Sequence, residues 1–272
     1  MERRISFNSY DGTDLVGIYT GPNNGKIKSA FLLMHGIPSE KNEWGFYSDM
    51  AKFFADNGHS SFRFDFRYNG ESQQDSLTKL TLSEMVNDVE AAYQTLFGEI
   101  DKNIPVLAVG TSCGGGITIK WCNTFKRKIK KVFLMAPVLD YEYEVTGRAR
   151  NIGSFGPNSS LPSVDISSLR EKGYLNPEIK YGREMVNEAH VFDANTEIDL
   201  LKTNVVIFQG TSDSVVPIQI TKNLIKNARN VELVAIESAD HGFAVKGDDN
   251  LTDPRTKKNH QFVYQEMLSR LG

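Results

Sequence analysis

Between residues 3 and 19 apolar and polar positions alternate on either side of Asp11-Gly12, which predicts two strands, 3–9 and 14–19, joined as a hairpin. The pattern then changes. "SAFLLMH" (29–35) is apolar almost without interruption, as in a strand covered on both faces. Phe46/Tyr47, Met50/Ala51 and Phe54 follow at helical spacing, with Asn57-Gly58 as a stop. "HSSFRFDF" (59–66) returns to strand. Thr81 and Glu84 form a capping-box signature ahead of Met85/Val86, Val89, Ala92/Tyr93 and Leu96, a helix that should end at Gly98.

The alternation continues through strand 104–109, a helix from about 113, strands 131–135 and 204–209, helix 219–228, strand 231–236 and a helix near 257–270. Strands alternating with helices predict an α/β fold: a mainly parallel sheet with helices on both faces, preceded by the antiparallel hairpin. Such sheets place their chemistry at the carboxyl ends of the strands. One segment breaks the rhythm. From Val138 to about Thr203 there is no clear strand, and "GRARNIGSFGPNSSLPSV" is rich in Gly, Pro, Ser and Asn. Connections in such folds usually run about 2–6 residues, so 138–203 reads as an insertion after the sixth strand, a lid or binding loop on a core made of 1–137 and 204–272.

Composition removes several function classes. A formal net charge of -3, from 31 Lys+Arg against 34 Asp+Glu, gives no signature for nucleic acid, and no apolar stretch approaches a membrane span. The basic run Lys126-Arg127-Lys128 with Lys130 and Lys131 reads as a solvated loop. Cys113 and Cys122 fall in one predicted helix, about 13 Å apart along its axis, too far for a disulfide. That spacing and the lack of a leader-like apolar region predict a cytoplasmic protein.

The densest glycine in the chain lies in "VLAVGTSCGGG" (106–116), where a strand feeds a helix. Gly110-Thr111-Ser112-Cys113-Gly114 fits G-x-S-x-G, whose glycines relieve collisions around a serine held on a sharp corner. A phosphate loop would need a lysine where Ile117 stands. A serine hydroxyl needs a base, and the base an orienting acid. Of His35, His59, His190, His241 and His260, only His241 follows the last strand on a loop at its carboxyl end without another evident duty. Asp213 lies just beyond strand 204–209; Asp240 is the rival acid, but its adjacency to His241 makes the side-chain contact awkward. The backbone N–H of Cys113 and of Ile37 are the expected oxyanion donors, Pro38 having none.

These motifs resemble the α/β-hydrolase superfamily over nearly the whole chain: "LLMHGIP" its oxyanion loop, "GTSCGG" its nucleophile elbow, "GTSDSVVP" its acid loop and "ADHGF" its histidine loop. "FDFRYNGES" (64–72) is similar to the segment after the fourth strand, with Tyr68 where glycine is common. The chain looks most like small bacterial carboxylesterases of the cinnamoyl or feruloyl type. The resemblance implies a serine carboxylesterase for short-acyl or aromatic esters, with Ser112, Asp213 and His241 catalytic, and with no metal or organic cofactor. His35, Tyr68, Asp140 and Tyr141 complete the expected set as substrate contacts. Tyr141, Tyr143, Phe155, Tyr174, Tyr181 and Phe192 either stack on an aromatic acyl group or form the insertion's own core. A thioesterase or acyltransferase, a peptidase whose substrate amine meets Asp140, Glu142 and Glu144, and a non-catalytic binding module are the alternatives. The expected partner is a small ester or thioester, and the oligomeric state, monomer or homodimer, stays open.

Overall fold

The computed structural model describes residues 1–146, 166–175 and 179–271. Its strands are β1 (Glu2–Asn8), β2 (Asp14–Thr20), β3 (Ala30–Met34), β4 (Ser60–Phe64), β5 (Val106–Thr111), β6 (Ile129–Met135), β7 (Tyr174–Leu175), β8 (Tyr181–Gly182), β9 (Val205–Gly210) and β10 (Val231–Ile236). Eight of them form one sheet in the order β1-β2-β4-β3-β5-β6-β9-β10. β1 pairs antiparallel with β2 and β2 with β4, and every pairing beyond β4 is parallel. This is the α/β-hydrolase architecture, hairpin included.

Side chains alternate across each strand, so one apolar run feeds two cores. Leu32 and Met34 of β3 and Ala108 of β5 face α2 (Leu82–Glu99) and α3 (Cys113–Phe125). Phe31, Leu33, Leu107 and Val109 pack instead with α1 (Phe46–Asp56) and α9 (Pro254–Ser269). Continuous apolar runs at β3 and β5 are therefore required by the sandwiching helices. β10, at the sheet's edge, is only partly buried.

Helix ends follow local chemistry. At α2 the Thr81 hydroxyl accepts the Glu84 N–H and the Glu84 carboxylate accepts the Thr81 N–H, both at 3.1 Å, completing the capping box. The helix runs one residue past Gly98. α9 begins three residues before the expected start because Asp253 caps it, accepting the Arg255 N–H at 2.8 Å, and Pro254 suits the first helical turn.

Between β6 and β9 the chain forms α4 (Tyr141–Thr146), α5 (Ile166–Lys172), the small antiparallel β7/β8 pair, α6 (Arg183–Ala189) and α7 (Ala194–Leu200); α8 (Ile218–Ile225) follows β9. The β7/β8 pair is a strand element that periodicity missed because each strand is two residues long. α6 and α7 dock on the body: Glu188 accepts the Ser83 N–H at 3.1 Å, and Glu197 accepts the Asn123 side-chain amide at 2.9 Å. Tyr141, Tyr181 and Phe192 are buried in the same core as α2 and α3. Tyr141 meets Phe192 edge to face at 5.0 Å, so these aromatics serve packing. Phe155 and the Gly/Pro-rich run lie outside the described residues.

Among the described residues no helix is long and apolar enough to cross a membrane.

Candidate active site

The corner between β5 and α3 turns on Ser112, whose φ of 50° is a conformation few side chains tolerate. The corner is stitched in place by the Ser112 N–H donating to Met135 O and by Val138 N–H donating to Ser112 O, each at 2.9 Å. A side chain at Gly110 would collide with Thr118 and the Gly114 carbonyl, and one at Gly114 with the carbonyls of Met34 and His35. Glycine at both positions is therefore a demand of close approach. Gly116 lets α3 settle against Tyr141.

Asp213 follows β9 and His241 follows β10, parallel neighbours whose carboxyl ends lie side by side. Asp213 is buried, accepts the Val215 and Val216 N–H groups at 3.1 and 2.8 Å, and receives His241 Nδ1, 3.1 Å from both carboxylate oxygens. That bond assigns the proton to Nδ1 and leaves Nε2 as the acceptor. Burial opposes a charged imidazole, but the bond and charge of Asp213, together with Glu43 and Glu144, outweigh it and raise the His241 pKa above its usual value. Asp240 does other work. Its Oδ1 accepts the His241 N–H at 2.7 Å and the Ser214 N–H at 2.8 Å, tying the acid loop to the histidine loop.

Ser112 and His241 line one cavity of about 430 Å³, largely apolar, with Ile37, Trp44, Phe46, Met135, Val215, Phe243 and Leu251 in its wall. Among the described residues no internal acceptor takes the N–H of Ile37 or of Cys113. Glu43 and Glu144 also face the cavity, and among the described residues no lysine or arginine lines it. Of the ten described non-glycine residues with positive φ, six (Glu43, Trp44, Ser112, Ala136, Phe243 and Leu251) are in this wall. Backbone strain gathered at one cavity marks it as a site held by the surrounding structure. A larger groove, about 660 Å³, lies over Phe7, Tyr10, Ala91 and Phe125; its one carboxylate, Glu90, is paired with Arg127, and it holds no nucleophile and base together.

The sequence profile of the family described as "Serine aminopeptidase, S33" matches residues 25–245, most of the chain. The chain belongs to this α/β-hydrolase family. It is a serine hydrolase. No curated protein matches this hydrolase in sequence. Its fold is similar to that of Est1E from Butyrivibrio proteoclasticus, with a TM-score of 0.73, 19% identity and 98% of each chain covered. A structure titled ferulic acid bound to Est1E gives a TM-score of 0.75 at 17% identity, covering 98% of this chain and 99% of that one. The esterase domain of a Rhodothermus marinus protein gives 0.67 at 16%, covering both chains fully. At such identities the likeness is one of fold.

The hydrolase's expected substrate contacts are placed elsewhere. His35 is buried, with Nδ1 donating to the Gly36 carbonyl at 2.6 Å and Nε2 accepting the Phe66 N–H at 3.0 Å. Burial pushes its pKa down to about 4, so it is a neutral strut. Tyr68 sits at positive φ in the turn after β4, packs on the α2 side of the core and is not part of the cavity wall. Asp140 accepts the Tyr143 N–H at 3.0 Å at the start of α4. The Tyr141 hydroxyl donates to the Cys113 carbonyl beneath α3. Neither reaches the cavity: the residue from this stretch that does is Glu144, one turn along α4. Burial pushes the Cys113 thiol up to about 12, so it is no competing nucleophile.

Sequence reasoning missed Glu43, Trp44 and the support from His260, whose Nε2 donates to the Gly242 carbonyl at 2.9 Å next to His241. No motif marks them.

Proposed function

We propose that this hydrolase is a carboxylesterase for short-acyl or aromatic esters, acting through an acyl-enzyme on Ser112. The observation that carries the reading is the strained Ser112 and the Asp213-oriented His241 in the wall of one mostly apolar cavity. His241 Nε2 takes the hydroxyl proton as Ser112 Oγ bonds to the ester carbonyl carbon, and the oxyanion is received by the N–H groups of Ile37 and Cys113. The imidazolium, stabilised by Asp213, gives its proton to the leaving alcohol. Water, activated by the same Nε2, then cleaves the acyl-enzyme and releases the acid. The 430 Å³ volume suits a small ligand, and a fold relative with ferulic acid bound supports including cinnamoyl-type acids. In this reading 138–203 is the lid, with Ile179 and Glu144 contributing to the wall.

The test is fluorophosphonate labelling read by mass spectrometry, with rates on p-nitrophenyl butyrate and methyl ferulate. One adduct on Ser112 is expected, and Ser112→Ala should lose the adduct and on the order of 10⁴-fold or more in kcat. A wild-type protein that neither labels nor turns over these esters would overturn the reading.

A second reading, cleavage of amides bearing a free amine, is supported by Glu43 and Glu144 facing a cavity without lysine or arginine among the described residues. Aminoacyl-naphthylamides turned over faster than the matched esters would favour it.

A further inference from the structure

Glu43 is a carboxylate without a cationic side chain in its own shell. It is buried, its Oε1 accepts the Gly36 N–H and its Oε2 accepts the Ser39 hydroxyl at 2.9 Å. Gly36 immediately precedes Ile37, so the carboxylate holds the peptide next to the proposed oxyanion donor. Glu43, Trp44 and Gly45 occupy left-handed conformations in succession, with φ of 45°, 50° and 94°, an arrangement the chain maintains although two of the three carry side chains. The loop is anchored further back by Lys41, whose N–H and Nζ both donate to Asp65 at 2.7 Å.

We propose that Glu43 is a positioning residue for the hydrolytic reaction: its carboxylate fixes the His35–Gly36 peptide, one residue before the Ile37 N–H, and its negative charge stabilises the His241 imidazolium formed with each acyl transfer. This rests on the proposed Ser112–His241 chemistry. The groups facing Glu43 are the Gly36 N–H, Ser39 and Glu40 of its own loop, Tyr47 of α1 and His241 across the cavity. Burial raises the Glu43 pKa to about 7, against the Gly36 and Ser39 bonds and the pull of His241, while Glu40 adds to the rise. Glu43 and His241 each act on the other's charge, so their protons are lost in steps belonging to the pair. The acid limb of the kcat/KM profile therefore spreads over two steps in the wild type.

Glu43→Gln keeps an oxygen for the Gly36 N–H and removes the charge. The expected result is one step, moved to lower pH by about half a unit, with kcat down about threefold at the plateau and KM changed less than twofold. A purely structural role would not move the limb. The His241 imidazole is also followed by NMR in a Ser112→Ala background, with and without Glu43→Gln, where no turnover is needed. The same downward shift is expected there. Ser39→Ala, at a partly exposed position, removes one donor to the carboxylate and should move the pair's steps to higher pH. If wild type hydrolyses none of the substrates, the esterase reading fails while the NMR titration still decides the role of Glu43. Profiles and titrations that superimpose on wild type for both variants would overturn it.

Discussion

Asp88 and Glu43 are both buried carboxylates, one on α2 and one in the cavity wall, and their surroundings could hardly differ more. Asp88 on α2 receives Arg67 through Nη2 at 2.6 Å and Nε at 3.0 Å, the Arg67 N–H at 3.1 Å and the Ser9 hydroxyl at 2.8 Å. Arg67 is itself buried and extends to Asp11 at 2.7 Å and Glu84 at 3.1 Å. Burial alone would lower the Arg67 pKa, but Asp88 outweighs it and raises it. Glu43 has one N–H, one hydroxyl and no cation until His241 is protonated. Charge in the scaffold stands beside a cation, although burial still raises the Asp88 pKa, whereas charge at the cavity is left without one until the proton of the proposed reaction arrives.

The contrast can be broken from either side. Removing the cation at the scaffold should cost most: Arg67→Met leaves Asp88 buried without a counter-charge, and a loss of about 3–5 kcal/mol in urea unfolding is expected. A loss below about 1 kcal/mol would mean that Asp88 does not depend on that cation. Glu43→Gln should have the opposite sign. A carboxyl whose folded pKa is raised keeps a proton that the unfolded chain releases, so ionisation favours unfolding between pH 4.5 and about 7. Its removal stabilises by about 3 kcal/mol above pH 7.5 and by nothing below pH 4.5, measured as the urea midpoint across that range. A gain independent of pH would point to repacking instead. The smallest effect is expected for Asp240→Ala, about 1 kcal/mol, with a larger loss of kcat than of stability because the two tethered loops carry Asp213 and His241 of the proposed triad.

What could be read from the sequence was whatever chemistry is local. Ser112, Asp213 and His241 each close a strand, and that position alone brings their loops to one end of a parallel sheet. The glycines around Ser112 are spaced by the corner they serve. His35 and Asp140 also follow strands, but strand ends give an address and no direction: His35 turns into the β3–β4 interface and Asp140 caps its own helix. Glu43 is missed for the converse reason, whereas Glu144 stands among the three carboxylates already weighed for a substrate amine. A carboxylate in a loop reads as solvated, and only the tertiary arrangement of 36, 39 and 241 around residue 43 removes the water. The sheet order β4-β3-β5-β6-β9 likewise depends on pairings that no single stretch encodes.

The Asp240 tether has a mechanical side. β10 is one of the sheet's two edge strands and His241 hangs from its end, so the proposed base is mounted on an edge rail of the sheet. With Ser214 and His241 both clipped to Asp240, the proposed acid and base are tied into one unit at that edge. The spacing between them is thereby a local property of two joined loops, while the placement of the pair relative to Ser112 is set by the sheet.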